Sequence, residues 1–270
     1  MNAAAESTPS HPLQLCAHLG YQFNEFPPLD RIGVAARAGF KAIEWPSIYE
    51  YAAERPRESI DQHGVCWVQV TLPAGNAAAG EKGLAALPGR EEEFGEGLQK
   101  AIHYAKVLGS RWIHPMAGVV PGWTDKVKST YLDNLRRSID TAKANGLKVM
   151  VEVIGRSTVP GYALGDYDIA EEVFAAFPQE DALGLLLDTY HAQTLTGDLP
   201  GLARKWAGRI AHVQIADVPG RHEPGTGAID FDAFFAELRQ CGYDGWIGCE
   251  YRPATTTLDG LRYLERFMRA

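Results

Sequence analysis

Four short apolar runs, each stopping on a residue with a side-chain oxygen, constrain this chain more than any other feature. Val149-Met150-Val151 stops on Glu152, Leu185-Leu186-Leu187 on Asp188, Ile210-Ala211-His212-Val213 on Gln214, and Trp246-Ile247-Gly248-Cys249 on Glu250. Runs this short and this rich in Val, Ile and Leu predict strands buried on both faces. Helical patterns separate them. Four such strands in succession predict a barrel whose strand ends aim acceptor groups into one mouth.

The chain upstream repeats the same alternation. Strands are expected at 13–19, 41–45, 65–72 and 111–116, ahead of those at 148–153, 183–188, 209–215 and 246–250. Helical spacing covers 29–38, 49–63 (interrupted by Pro56), 91–108, 124–145, 167–177, a stretch ending near Trp206, 231–241 and 258–269. Gly39, Gly64, Gly109, Gly146 and Gly242 stop helices, and Thr124 is placed to cap one. Eight strand–helix repeats imply a parallel sheet closed on itself: an α/β, single-domain (β/α)8 TIM barrel over 13–270, behind a flexible N-terminal extension at 1–12. The exception to regular periodicity is 73–90, a Gly/Ala-rich loop long enough to act as a lid.

At 270 residues the chain accommodates one such barrel without a linker. A formal charge of −8 argues against a nucleic-acid partner, which needs a basic patch. No apolar stretch approaches a membrane span, and residues 1–10 have neither a basic start nor a long apolar core, so neither a membrane nor a secretory signal is expected. The four cysteines, Cys16, Cys66, Cys241 and Cys249, are scattered, which reads as reduced thiols in a cytoplasmic protein. Ordinary surface apolar residues leave a homo-oligomer open.

The chemistry is expected at the strand ends. Neighbouring strands lie about 4.8 Å apart, so Glu152, Asp188, Gln214 and Glu250 can converge on one ion. Three carboxylates and one amide oxygen suit Mg²⁺ or Mn²⁺ better than zinc. Taken singly, each residue is as well explained as a strand cap. Taken together, four buried acceptors call for a cation or for donors. His191 follows Asp188 by three residues, which puts both on one helix face beside the mouth and makes His191 a substrate contact. Arg221 and Glu223, in the loop 218–224, are further substrate-binding candidates. Arg221 is either a bidentate clamp on a substrate carboxylate or a solvated loop charge. His114 and His18 end strands and either line the mouth or pack in the core. Trp45 is either an apolar wall of the pocket or core, and Trp123 and Tyr162 are placed to shield the site. No Gly-rich phosphate loop, GxSxG elbow or HExxH helix occurs, and no organic cofactor is implied.

Several stretches resemble the hydroxypyruvate isomerase family of the xylose-isomerase-like TIM barrels. They are Asp188-Thr-Tyr-His-Ala-Gln193 with Gly197-Asp198-Leu199, His212-Val-Gln-Ile-Ala216 running into Pro219-Gly-Arg-His-Glu-Pro224, and Gly242-Tyr-Asp-Gly-Trp-Ile-Gly-Cys-Glu-Tyr251. The loop from Ala79-Gly80 through Gly83-Leu-Ala-Ala-Leu-Pro-Gly-Arg90 matches as well. The resemblance implies Glu152 and Glu250 as the acid/base pair. It implies a divalent metal held by Glu152, Asp188, Gln214 and Glu250, with His191 and Arg221 near a small hydroxy-keto acid or sugar substrate. The reaction it implies is the aldose–ketose isomerisation of hydroxypyruvate to tartronate semialdehyde. Close relatives act on 2-oxo-tetronate, and more distant barrels are ketose 3-epimerases or inosose dehydratases. The chain departs from the family at Gly155-Arg156-Ser157-Thr158, where Asn, Arg and Asp are usual, at Asn76-Ala77-Ala78, where an aromatic is frequent, and at His18, where Asn is common. These positions bear on substrate identity rather than on reaction type. A metal-dependent endonuclease on the same barrel would need more His ligands and a basic surface. A binding protein without turnover would have little use for paired strand-end glutamates.

Overall fold

The computed structural model describes residues 13–46 and 48–265. The expected extension at 1–12 and the end of the last helix lie outside them. Nine short parallel strands form the sheet: β1 (Leu15–His18), β2 (Ala42–Glu44), β3 (Cys66–Trp67), β4 (Gln69–Thr71), β5 (Trp112–His114), β6 (Lys148–Glu152), β7 (Leu183–Asp188), β8 (Ile210–Gln214) and β9 (Ile247–Cys249). Their order is β3-β2-β1-β9-β8-β7-β6-β5-β4, and every pairing is parallel. Only Val68 separates β3 from β4. It is the break in one strand position: β3 pairs with β2 and β4 pairs with β5, so the barrel closes through Val68 and has eight positions.

Nine helices among the described residues surround the strands: α1 (Asp30–Arg37), α2 (Glu54–His63), α3 (Glu91–Leu108), α4 (Asp125–Ala144), α5 (Tyr167–Ala175), α6 (Thr189–Thr196), α7 (Leu199–Lys205), α8 (Phe231–Gln240) and α9 (Thr257–Gly260). Thr124 caps α4 as expected, its hydroxyl accepting from the Val127 amide at 3.3 Å. Pro56 does not interrupt α2. It sits in the first turn, where a missing N–H costs nothing because no partner exists there. The single helix expected after the sixth strand is two. Gly197 turns left-handed (φ 69°), and Asp198 then caps α7 by accepting from the Gly201 amide.

Two separate apolar clusters show which faces are which. The large one fills the layer between strands and helices. A small one, Cys16, Ala42 and Val68 with Trp246 against it, plugs the barrel interior at the amino-terminal end of the strands. Above that plug the buried polar side chains His18, Glu44, Gln69, His212 and Gln214 meet. Strand side chains alternate, so Ala42 and Glu44 face inward while Ile43 and Trp45 join the outer cluster. Trp45 is therefore core, 5.9 Å from the Tyr51 ring, and not a wall of the cavity.

The long loop is only partly a free lid. Leu84, Ala85 and Ala86 are buried. Ala85 and Ala86 donate to the Met116 and Ala117 carbonyls, and the Asn134 amide holds the Ala85 carbonyl. Gly83 has φ 111° and lies so close to the Met116 backbone that a Cβ would collide with it. The half of the loop from Pro73 to Lys82 borders the cavity described next.

Candidate active site

The carboxyl ends of the strands surround a cavity of about 880 Å³. Glu152 ends β6, Asp188 ends β7, Gln214 ends β8, and Glu250 follows β9 directly. Asp188 and Gln214 are level, Glu152 is level with Leu186, two residues short of Asp188, and Glu250 lies two residues past Gly248, the partner of Gln214. Across this stagger the four acceptors expected from the sequence still gather around one cavity. Glu152, Gln214 and Glu250 line the cavity with His18, His114, His191 and Arg221. Carboxylate oxygens of Glu152 and Asp188 and a ring nitrogen of His191 all lie within 4.8 Å of one another.

Local structure sets each orientation. Asp188 caps α6, its Oδ1 accepting from the Tyr190 amide at 2.8 Å, which leaves Oδ2 facing His191 Nε2 at 3.5 Å. Arg221 is in the left-handed region (φ 57°), which only an over-determined loop holds. Asp217 supplies that determination: its buried carboxylate accepts from the amides of Val218, Gly225, Gly227 and Ile229. The guanidinium lies 5.5 Å from the Tyr21 ring and 5.2 Å from the Tyr190 ring, and its Nη2 contacts Asp188 Oδ2 at 2.8 Å and Glu250 Oε1 at 3.1 Å. Arg221 is thus not a solvated loop charge but is inserted between two strand-end carboxylates. Glu223 stays out of the cavity. Its carboxylate accepts from the Ala254 amide at 2.9 Å, tying two loops together.

His18 and His114 resolve to the mouth, with Nε2 3.8 Å from Glu250 and 3.9 Å from Glu152 respectively. Trp123 and Tyr162 do not shield it. Trp123 packs edge-on against Tyr131, and the Tyr162 hydroxyl accepts from the Ala117 amide. Tyr21, Tyr49 and Pro46 line the cavity instead.

One group was missed by sequence reasoning. Glu44 is fully buried behind Gln69 and Gln214, which line the cavity, and accepts from Gln69 Nε2 (2.9 Å), Gln214 Nε2 (3.0 Å) and His212 Nε2 (3.1 Å). The signal was present: Glu44 and His212 sit at inward positions of strands with period two, yet His212 reads as part of an apolar run.

Electrostatically the mouth is short of positive charge. Burial, then the Glu250 and Asp188 charges, push the Glu152 carboxyl well above the usual range. Glu250 is raised by burial, with Asp188 and Glu44 adding to the rise and Arg221 opposing it. Glu44 goes the other way. Burial would raise it, but His212, His18 and Gln214 together bring it down to about 2. Burial lowers His18 and His114 to about 4, against the pull of Glu44. Among the described residues, Arg221 is the only Arg or Lys in salt-bridge contact with Glu44, Glu152, Asp188 or Glu250. The Gln214 Oε1 atom is buried with no hydrogen-bond partner. Two glutamates with raised affinity for protons, Glu152 and Glu250, beside Asp188 and an unpaired amide oxygen fit an oxygen-preferring divalent cation.

The sign of the pH dependence follows. His18 and His114 have depressed folded values, so the unfolded chain binds more protons than the folded one between about pH 6.5 and about 4. Stability is full above that window and is lost as pH falls through it, by roughly 3 kcal/mol for each histidine. Glu152 and Glu250 are raised, so their contribution is full at low pH and is lost as pH rises past the usual carboxylate range. Urea midpoints of metal-free protein should therefore fall on both sides of a maximum, and Mn²⁺ should lift the alkaline side only. A midpoint that keeps rising from pH 5 to pH 9 without metal would contradict this electrostatic picture.

Comparison with known proteins places this geometry. Residues 32–267 match the family described as xylose isomerase-like TIM barrel. A 2-oxo-tetronate isomerase of Cupriavidus necator is 40% identical over 261 residues, covering 94% of this chain and 98% of that protein. The hydroxypyruvate isomerase of Escherichia coli is 35% identical over 261 residues, covering 94% of this chain and 99% of its own length. A crystal structure from Brucella melitensis, described as an AP endonuclease of family 2, superposes with a TM-score of 0.91 at 36% identity, covering 95% of this chain and 99% of that one.

Proposed function

The chain is an isomerase of the hydroxypyruvate isomerase family, within the xylose isomerase-like TIM barrels, and on that premise we propose that it converts hydroxypyruvate to tartronate semialdehyde with Glu152 and Glu250 as the proton-transfer pair. The observation that carries this reading is the placement of two glutamates on the rim of one cavity, at the ends of β6 and just past β9, with Arg221 beside one of them.

The reaction moves a proton between adjacent carbons. One glutamate removes a proton from C3, the hydroxyl-bearing carbon, leaving a planar enediolate over C2 and C3. The other returns a proton to C2, and the hydroxyl proton passes from O3 to O2, so that no atom is gained or lost. Arg221 orients the substrate carboxylate by offering its guanidinium fork. Tyr21, Pro46 and the Pro73–Lys82 half of the long loop limit water at the site. Glu152, Asp188, Gln214 and Glu250, with His191 adjoining, are the residues that would hold Mg²⁺ or Mn²⁺. When bound, such an ion supplies Lewis-acid stabilisation of the developing oxyanion. No organic cofactor enters the chemistry.

A second substrate, 2-oxo-tetronate, is supported by the relatives at 40% and 38% identity that carry that name and by a cavity of about 880 Å³, ample for a fourth carbon. The nuclease description of the Brucella structure finds little support in the chain's formal charge of −8. Four unpaired cysteines, and no helix among the described residues long and apolar enough to cross a membrane, fit a cytoplasmic enzyme. The test is a set of steady-state rates on hydroxypyruvate, 2-oxo-tetronate and an abasic-site duplex, with EDTA and then with Mn²⁺ restored. Isomerisation of a hydroxy-keto acid, lost with EDTA and regained with Mn²⁺, is expected. Cleavage of the duplex without isomerisation would reject the proposal.

A further inference from the structure

Glu44 has no place in the chemistry above, yet it is a fully buried carboxylate bonded to Gln69 and Gln214, both of which line the cavity. A carboxylate can only accept hydrogen bonds, so every group touching it must turn a donor towards it. Gln214 therefore presents its NH₂ to Glu44 Oε1, at 3.0 Å, and its oxygen must point the opposite way. That oxygen, Oε1, is buried and has no hydrogen-bond partner, so its lost hydration goes uncompensated unless something meets it. Glu44 is itself fixed by Gln69 and His212 on its second oxygen, and Gln69 is fixed in turn by the Thr71 hydroxyl, which donates to its Oε1 at 3.3 Å. Room for the carboxylate comes from β9: a Cβ on Gly248 would collide with Glu44 Oε1 and lie 3.1 Å from Gln214 Cγ.

We propose that Glu44 is a positioning residue that locks the Gln214 amide with its oxygen facing the cavity, making a neutral side chain a dependable cation ligand. A free glutamine flips between two nearly isosteric orientations, one of which offers a repelling NH₂ to a cation. Glu44 removes that choice without touching the cation. Hydrogen bonds behind a ligand of this kind change metal affinity about 10–100-fold. The proposal rests on the reading of Gln214 as a metal ligand, and the experiment separates the two.

The readout is the Mn²⁺ dissociation constant, by calorimetry or electron paramagnetic resonance, together with thermal midpoints and turnover. Gln214→Ala tests the ligand, Glu44→Gln the lock, and the exchange E44Q/Q214E the direction of the hydrogen bond. In the exchange the donor and acceptor trade places at unchanged charge, and the residue at position 214 again turns oxygen to the cavity. Expected are a Kd raised at least about tenfold in E44Q and in Q214A, and recovery to within about threefold of wild type in the exchange. An unchanged Kd in Q214A overturns the ligand reading and the lock with it. A weak Q214A beside a normal E44Q, or an exchange that binds no better than E44Q, overturns the lock alone. Should the glutamate variants fail to fold, Gly248→Ala decides: it crowds Glu44 off Gln214 and should raise the Kd, and an unchanged value overturns the proposal.

Discussion

Glu250→Gln is expected to lower turnover on hydroxypyruvate at least about a hundredfold, and Glu152→Gln to do the same, with the fold retained. The amide keeps the shape of the side chain and removes its ability to take and return a proton. Both side chains reach the cavity, Glu250 with 15% of its side chain exposed and Glu152 with 8%, so neither substitution opens a hole in the core. Burial and neighbouring carboxylates raise both groups, so neutralising one should leave the thermal midpoint unchanged or higher in metal-free protein. That combination, a lost reaction in a protein no less stable, is the mark of a catalytic group rather than a strand cap. Near-normal turnover in either variant would remove that residue from the pair.

Arg221→Met should be the most damaging single change outside the glutamates. The guanidinium contacts Asp188 Oδ2 and Glu250 Oε1 together, and both carboxylates hold it charged against the cost of its burial. Removing one member of a buried pair leaves an uncompensated charge, typically at a cost of about 3–5 kcal/mol. The substrate carboxylate loses its fork as well, so kcat/KM should fall at least about a hundredfold. The two effects separate in one titration. Mn²⁺ should raise the thermal midpoint of the variant more than that of wild type, because it replaces the missing charge, while kcat/KM stays low. Restoration of kcat/KM by saturating Mn²⁺ would mean that Arg221 serves the carboxylates only and makes no substrate contact.

Much of this barrel is legible in the sequence because its strands are short, apolar and followed by polar ends, and because glycines punctuate the helices. Glu152, Asp188, Gln214 and Glu250 are found by that rule alone, since a strand's last inward residue must face the mouth. The same rule fails where a position's face is decided by register. Trp45 follows an inward Glu44 and so faces outward. Glu44 and His212 are invisible as a pair because 168 residues separate them and only closure of the sheet brings β2 and β8 across one interior. The break at Val68, which divides the third strand, leaves no mark on a run, Val65 to Leu72, whose residues all suit a strand. Loop charges are the least legible. Arg221 and Glu223 are two residues apart, yet a left-handed backbone held by Asp217 turns the first into the cavity and leaves the second tying loops together.

Proton transfer between adjacent carbons by Glu152 and Glu250 leaves its trace as hydrogen exchange with solvent, which D₂O makes visible. Purified protein with Mn²⁺ would be incubated with hydroxypyruvate in D₂O and followed by proton NMR, beside a sample with chelator and beside E250Q. Deuterium entering C3 of recovered hydroxypyruvate, with tartronate semialdehyde appearing, is the expected result. Both signals should vanish in E250Q and with chelator. Neither deuterium incorporation nor product in the wild-type sample would contradict the account, and the same two glutamates would then be tested on 2-oxo-tetronate.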